Sequence, residues 1–261
     1  MNQSASAAIL EKIRGAKARG EKIPVLTAYD YPLARLLDES GIEVLLVGDS
    51  LGMVVLGYPD TTAVTMEEMV HHCSAVARGA EHALVVCDLP YGSYDTVDSA
   101  RANAQRLVKA GAHAAKLEGG VWREAQISAI VRSGIPVMAH VGMLPQSVKI
   151  EGGYKIKGGS PEEAAALLAD AKAVERAGAF AVVLELVRPD VAKEITAAIS
   201  IPTIGIGSGP DCDGQVLVIH DLIGLFPWFK PKFVTRKAHV GKEIRAAVTE
   251  YIQDVMGGRT S

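Results

Sequence analysis

From about Ile23 onward, short apolar runs alternate with amphipathic helical patterns, and this alternation limits the folds that the chain can adopt. Seven runs rich in Val, Ile and Leu are each followed by a helical pattern. The runs read IPVLTAYD, EVLLVGD, ALVVCDLP, AAKLEGG, PVMAHVG, FAVVLELV and PTIGIGSG. Nearly continuous apolar runs are typical of parallel strands that are covered on both faces. The pattern therefore predicts an α/β fold, a (β/α)8 TIM-type barrel.

The two ends of the chain carry further helical patterns. The first residues, MNQSASAAILEKIRGAKARGEK, predict an added N-terminal helix, and HVGKEIRAAVTEYIQDVM predicts a C-terminal one. The eighth strand is either VLVIHDLIG or the short KFVT, because periodicity does not separate them. An open doubly wound sheet is the alternative fold. No Pro/Gly/Ser-rich linker divides the chain, so we expect residues 1–261 to form a single β/α barrel domain.

Composition excludes several classes of function. The net charge is −3 with both signs interspersed, so no nucleic-acid partner is predicted. No apolar stretch reaches membrane-spanning length, so no membrane association is expected. The N-terminus lacks the apolar core of a signal peptide and predicts a cytoplasmic protein, with an organelle transit segment as the alternative. The 3 cysteines are widely spaced and predict neither a disulfide framework nor a thiolate metal site.

Three acidic residues stand where three consecutive strand patterns stop. Asp49 ends EVLLVGD, Asp88 ends ALVVCD and Glu118 ends AAKLE. Parallel neighbouring strands would bring these carboxylates together on one face, where they repel unless a cation is present. A hard divalent ion bound by oxygen is therefore predicted. The competing role for Asp49 and Asp88 is a helix cap or a turn.

Other polar residues fall at the same end of the predicted barrel. Lys116 lies two residues before Glu118 and shares its side of the strand, where it would meet the carboxylates or a carboxylate substrate; a salt bridge at the barrel mouth is the alternative. Glu185 ends FAVVLE and is placed to act as a general base, or to pair with Arg188. His140 ends PVMAH and either contacts the substrate or is a core histidine.

Three further features have competing interpretations. Asp30 precedes Tyr31-Pro32 and is expected to cap a helix rather than to take part in catalysis. The glycines of Gly205–Gly209 either cradle phosphate or allow a tight turn. The segment Val148–Gly159 is rich in Gly and Lys and is expected to be a mobile cover over the site.

Several motifs stand out together, namely VGDSLGMVVLGYPDT, DLPYGSY, KLEGG, HVGMLPQSV, GGYKIKG, LELV, and IGIGSG followed by CDGQVLVIHD. Together they resemble those of one family, ketopantoate hydroxymethyltransferase (3-methyl-2-oxobutanoate hydroxymethyltransferase). The resemblance extends from about Ile23 to the C-terminal helix. It is weakest at FPWFKPKF, which concerns the eighth strand and subunit contacts rather than the chemistry.

The resemblance implies a reaction and the residues that serve it. It implies that 5,10-methylenetetrahydrofolate donates a one-carbon unit to 3-methyl-2-oxobutanoate through an enolate stabilised by Mg²⁺, giving 2-dehydropantoate for pantothenate biosynthesis. It implies a homo-oligomer, a decamer. The family's metal ligands fall on Asp49, Asp88 and Glu118, its ketoacid contacts on Asp49, Ser50, Asp88 and Lys116, and its catalytic proton acceptor on Glu185.

Two other functions are compatible with the same residues. One is a related magnesium-dependent lyase or mutase that acts on a 2-oxoacid on the same barrel. The other is a non-catalytic metabolite-binding barrel, which the intact set of carboxylates and lysine argues against. Folate-dependent turnover separates the first of these from the transferase. The sequence does not indicate which residues hold the folate.

Overall fold

The computed structural model describes residues 3–259 and contains a closed barrel of eight parallel strands that follow one another in chain order. This confirms the predicted (β/α)8 barrel and excludes the open doubly wound sheet. The strands are β1 (Ile23–Thr27), β2 (Val44–Val47), β3 (Leu84–Asp88), β4 (Ala114–Glu118), β5 (Val137–Gly142), β6 (Ala181–Glu185), β7 (Thr203–Ile206) and β8 (Gly214–Leu217).

A helix precedes the first strand, and the other helices follow the strands. They are α1 (Gln3–Arg19), α2 (Tyr31–Glu39), α3 (Leu51–Val54), α4 (Met66–Gly79), α5 (Val97–Lys109), α6 (Glu124–Arg132), α7 (Val148–Glu151), α8 (Pro161–Arg176), α9 (Pro189–Ala198), α10 (Ile219–Ile223) and α11 (Val240–Met256). The predicted N-terminal and C-terminal helices are thus present as α1 and α11. Within the described residues, no helix is both long enough and apolar enough to cross a membrane.

Side-chain caps begin several of these helices where the sequence indicates. Asp30 accepts a hydrogen bond from the Leu33 backbone N–H at 2.8 Å, which confirms its capping role. Ser160 accepts one from Glu163 N–H at 3.2 Å at the start of α8. Such caps satisfy N–H groups that have no partner within the helix and so fix where each helix begins.

The eighth strand differs from both predicted alternatives. β8 includes only the first two residues of VLVIHDLIG, and Ile219–Ile223 in the same run forms α10. The alternative KFVT is not a strand. A short apolar run fits a strand and a buried helical turn equally well, so its sequence does not decide between them. Gly224, with a φ of 67°, ends α10 in a left-handed conformation that glycine adopts without strain.

The chain forms two compact units, one that ends at Val216 and one that begins at Leu217. The first contains the buried cluster inside the barrel, where Ile13 of α1 packs with Ile23, Val44 and Leu84, the first residues of three strands. Helix α1 therefore lies against the amino ends of the strands. The expectation of a single domain over residues 1–261 stays a prediction.

Candidate active site

Three carboxyl side chains meet at the carboxyl ends of β2, β3 and β4. Asp88 and Glu118 are the last residues of β3 and β4, and Asp49 lies two residues beyond β2. All three are at most 4% exposed. The Asp49 backbone N–H donates to Asp88 Oδ2 at 3.1 Å, which links the carboxyl ends of β2 and β3. The structure thus brings together the three residues that the sequence predicted would converge.

Lys116 lies among these carboxyl groups. Lys116 on β4 pairs in register with Asp88 on β3, and its Nζ donates to Asp88 Oδ1 at 2.9 Å. It is the only lysine or arginine that is buried among the described residues. The parity argument from sequence, which placed Lys116 and Glu118 on the same side of β4, is therefore confirmed, and so is a salt bridge.

The electrostatics of the site are dominated by excess negative charge. Burial, and then the nearby Asp88 carboxylate, raises the pKa of Asp49 to about 7. Burial, then the Asp49 carboxylate, raises the pKa of Glu118 well above its usual value. Burial opposes the charge of Lys116, but the surrounding carboxylates outweigh it and raise the pKa of the ammonium. One ammonium does not compensate this many carboxylates in a site that water does not reach.

The donor set fits a hard divalent cation, although the side chains do not already stand as a finished metal cage. No group of three His, Cys, Asp or Glu side chains among residues 3–259 is arranged to hold a metal ion as it stands. Asp88 instead accepts from Lys116, Asp49 accepts from the side-chain amide of Gln146, and Glu118 accepts from the Gln146 backbone N–H. Asp49, Asp88 and Glu118 are buried, offer only oxygen atoms as ligands, and bring more negative charge than Lys116 balances. They therefore have the chemistry that Mg²⁺ requires.

His140 links the carboxylate cluster to Glu185. It pairs in register with Glu118, and its Nε2 lies 3.0 Å from the Met143 carbonyl and 3.4 Å from Glu185 Oε2. Its buried Nδ1 has no hydrogen-bond partner among the described residues and lies 3.8 Å from Glu118 Oε1. Burial, and then the charge of Lys116, lowers the pKa of His140 well below its usual value. The imidazole is therefore neutral, with one nitrogen available to a ligand.

Glu185 ends β6 on the far side of His140 from Glu118. Burial raises its pKa to about 8. Its neighbour Leu186 has a φ of 48°, a conformation that a leucine rarely adopts and that is often found beside functional groups. Arg188 pairs with Asp190 at 3.0 Å, so it is not the partner of the Glu185 carboxylate. The interpretation of Glu185 as half of a surface ion pair with Arg188 is wrong.

Two loops complete the mouth of the barrel. Ser50 directly precedes α3, and its Oγ lies 2.8 Å from the Tyr29 hydroxyl. The buried Ser208 side chain accepts from Val187 N–H at 2.9 Å and donates to the Leu184 carbonyl at 2.7 Å. The glycines on either side of Ser208 have positive φ, which supports the tight-turn interpretation of Gly205–Gly209.

Sequence reasoning missed Gln146 and Tyr94, although both lie in motifs that it singled out. Gln146 is buried and donates to Asp49, and the Tyr94 hydroxyl donates to Gln146. The available signal was the position of Gln146, a polar residue shortly after the strand that carries His140. The structure leaves the metal-binding, substrate-binding and catalytic roles of the predicted residues as predictions.

Comparison with known proteins identifies a family. A model of the family "Ketopantoate hydroxymethyltransferase" matches residues 8–259. The 3-methyl-2-oxobutanoate hydroxymethyltransferase of Syntrophus aciditrophicus is 54% identical over 94% of this chain and 91% of its own length. The enzyme of the same name from Caldicellulosiruptor bescii is 50% identical over 99% of this chain and 97% of its own.

Solved structures share the fold at much lower identity. The phosphoenolpyruvate phosphomutase of Streptomyces platensis superposes with a TM-score of 0.66 and 16% identity, over 96% of this chain and 88% of its own. At this identity the similarity concerns the barrel and carries no information on the reaction.

Proposed function

The chain belongs to the ketopantoate hydroxymethyltransferase family, and from that premise we propose the reaction that its buried site supports. The protein is a one-carbon transferase that adds a hydroxymethyl group to 3-methyl-2-oxobutanoate and gives 2-dehydropantoate, a step of pantothenate biosynthesis. The observation that carries the proposal is the meeting of Asp49, Asp88 and Glu118 around Lys116 at the carboxyl end of the barrel, with Glu185 on the far side of His140.

Three of these carboxylates would hold magnesium. Asp49, Asp88 and Glu118 offer buried oxygen atoms on adjacent strands, and the positive charge would compensate carboxylates that Lys116 alone does not balance. When bound, Mg²⁺ would polarise the keto group and stabilise the negative charge that develops as the C3 proton leaves. The raised pKa values of Asp49 and Glu118 support this assignment, because they show a site in which charge is costly without a cation.

The substrate's own carboxylate requires positive charge and hydrogen-bond donors. Lys116 is buried beside Asp88 and would offset the charge of the ketoacid. The Ser50 hydroxyl, at the edge of the same cluster, would donate a hydrogen bond. Together with Asp49 and Asp88, these residues form the proposed ketoacid site.

Glu185 is the proposed base for the C3 proton. Its pKa of about 8 is nearer to the operating pH than that of an ordinary carboxyl group, which suits a group that must take up a proton. His140 Nε2 lies 3.4 Å from Glu185 Oε2. The C3 carbon would then bond to the methylene carbon of 5,10-methylenetetrahydrofolate, the proposed co-substrate. The bonds from that carbon to the two folate nitrogens would break, water would supply the hydroxyl group, and tetrahydrofolate would leave.

The alternative lyase or mutase activity has no specific observation in its favour. The phosphomutase that shares the barrel does so at 16% identity, whereas relatives at 50% identity and above carry the hydroxymethyltransferase name. We propose in addition that the protein is cytoplasmic and assembles as a homo-oligomer, a decamer. Exposed apolar side chains along α11 support self-association.

Proton NMR of the purified protein tests the proposal. With 3-methyl-2-oxobutanoate and Mg²⁺ in deuterated water, the C3 proton should exchange, and adding 5,10-methylenetetrahydrofolate should produce 2-dehydropantoate. Treatment with a chelator should abolish exchange, and Mg²⁺ should restore it. Full activity in chelator-treated protein would exclude the metal, and cleavage of the ketoacid without folate would favour the lyase.

A further inference from the structure

Gln146, in the loop after β5, forms hydrogen bonds with four groups in and around the site. It is 5% exposed. Its side-chain Nε2 donates to Asp49 Oδ2 at 2.7 Å and to the Leu89 carbonyl at 3.0 Å. The Tyr94 hydroxyl donates to its Oε1, and its own backbone N–H donates to Glu118 Oε2 at 3.1 Å. One residue thus forms hydrogen bonds with groups at the carboxyl ends of β2, β3 and β4.

These contacts fix the orientation of the Gln146 amide. The Leu89 carbonyl and an ionised Asp49 only accept hydrogen bonds, so the NH₂ end of the amide must face them. Its oxygen then faces Tyr94, whose hydroxyl is able to donate. Both amide protons and the amide oxygen have partners, so a rotated amide would lose several buried hydrogen bonds at once.

Gln146 also binds only one of the two oxygens in each of two carboxylates. It binds one oxygen of Asp49 and one oxygen of Glu118, and no hydrogen bond to Gln146 involves the other oxygen of either group. Glutamine does this without adding charge to a site that already has too many carboxylates. A hydrogen-bond donor that holds a ligand from behind orients it toward the metal, and its loss typically weakens metal affinity by about 10–100-fold.

We propose that Gln146 is a positioning residue of the metal site, which holds Asp49 and Glu118 so that the remaining oxygen of each is presented to the cation. Tyr94 keeps the amide in the orientation that this requires. The inference rests on the proposed function, because that function assigns these two carboxylates to magnesium.

Manganese binding to the metal-free protein tests the inference without reference to turnover. Mn²⁺ affinity and the electron paramagnetic resonance spectrum of the bound ion are measured for the wild-type protein, Gln146→Leu and Tyr94→Phe. Gln126→Leu is the matched control, since Gln126 is also buried and donates to the Asp95 carbonyl at 3.2 Å but contacts none of the site carboxylates. Thermal unfolding of all four metal-free proteins is recorded alongside.

The expected order of Mn²⁺ affinity is wild type and Gln126→Leu, then Tyr94→Phe, then Gln146→Leu. Gln146→Leu should bind at least about tenfold more weakly and give an altered spectrum. Wild-type affinity in Gln146→Leu, or an equal loss in Gln126→Leu, would overturn the inference.

Two remaining outcomes are also decisive. If Gln146→Leu does not fold, Tyr94→Phe decides, and an unchanged affinity and spectrum in that variant would refute the positioning role. If the wild-type protein itself binds no Mn²⁺, the proposed metal fails and the inference fails with it. If the wild-type protein binds Mn²⁺ and Gln146→Leu binds it equally well, the positioning role of Gln146 is refuted and the proposed function is not.

Discussion

At the scale of single residues, the roles of the acidic groups follow from their surroundings rather than from their type. Asp30 is exposed and caps a helix, whereas Asp49, Asp88 and Glu118 are buried beside a single ammonium. Burial penalises the charged form, so each buried carboxylate needs a cation or a donor. Glu185 stands apart from this cluster behind His140, which separates a group that would take up a proton from groups that would hold a metal.

Replacing Glu185 by glutamine should separate these two roles. Glu185→Gln keeps the size of the side chain but removes the base, so exchange of the C3 proton with deuterated water should fall by about 10²–10⁴-fold. Calorimetric titration should show that Mg²⁺ and the ketoacid still bind. Asp88→Asn is the comparison variant and should weaken binding of both ligands. Wild-type exchange in Glu185→Gln would move the role of base to another residue, with His140 the first to test.

His113, at the start of β4, should make stability depend on pH. Its Nδ1 accepts a hydrogen bond from Val85 N–H at 2.9 Å, and burial lowers its pKa from 6.5 to about 4. Between these pH values the unfolded state binds more protons, so stability is fully present above pH 6.5 and is lost as pH falls toward 4. The loss at pH 5 should be about 1–2 kcal/mol after allowance for partial solvent exposure.

The variant His113→Asn tests this, because its Oδ1 can accept the same hydrogen bond but does not titrate. Urea unfolding at pH 8 and pH 5 should show a smaller decrease in the free energy of unfolding for His113→Asn than for the wild type. Equal decreases in the two proteins would mean that the pH dependence arises elsewhere.

At the scale of elements, the segment Val148–Gly159 spans two sides of the barrel mouth. Near its start, Lys149 Nζ lies 3.2 Å from Asp60 Oδ2, in the loops that follow β2. Near its end, Lys157 N–H donates to the Leu186 carbonyl at 2.8 Å, next to Glu185. Three glycines between and beside these anchors have positive φ, at positions 152, 153 and 158. The segment is thus held at both ends and has an easily rearranged backbone between them.

We expect this segment to close over bound substrate. Backbone hydrogen exchange in residues 148–159 should slow when ketoacid and Mg²⁺ are added, because closure excludes water from the site. Lys149→Met removes the anchor to Asp60 and should speed exchange in the ligand-free protein. Lys193→Met is the control, since Lys193 is an exposed lysine in α9, outside the segment. Equal exchange with and without ligand would contradict a lid.

At the scale of the whole molecule, the two ends of the barrel differ in what they carry. Helix α1 packs at the amino ends of the strands, and the carboxylates lie at their carboxyl ends. The C-terminal unit presents a different feature, since no residue of α11 is buried. Apolar side chains nonetheless repeat along one side of this helix at Ile244, Val248, Tyr251, Ile252 and Val255. An exposed apolar stripe of this kind usually marks a protein–protein interface.

A charge on this stripe should reduce the size of the assembly. Val248→Glu places a carboxylate at its centre and should lower the mass measured by size-exclusion chromatography with light scattering. Gln253→Glu adds the same group on the opposite side of α11 and should leave the mass unchanged. A wild-type protein that is monomeric at micromolar concentration would contradict the proposed oligomer.

The sequence by itself determined the barrel and which polar side chains gather at its carboxyl end. Alternating strand and helix patterns specify the order of elements, and the residues that end the strands fall at one end of any parallel barrel. This is why Asp49, Asp88 and Glu118 were found together, and why the parity of β4 placed Lys116 among them. Local periodicity carries this information because it reflects backbone geometry within each element.

Only the tertiary structure decided which buried groups meet. Gln146 and its partner Asp49 are 97 residues apart, and no local pattern records a hydrogen bond between them. The sequence did not show where β8 starts, because short apolar runs are ambiguous. It did not show the strained backbone at Leu186 either, because strain depends on surrounding contacts. Closure of the barrel fixes these contacts, because it brings distant loops into one buried site where most polar groups must find a partner.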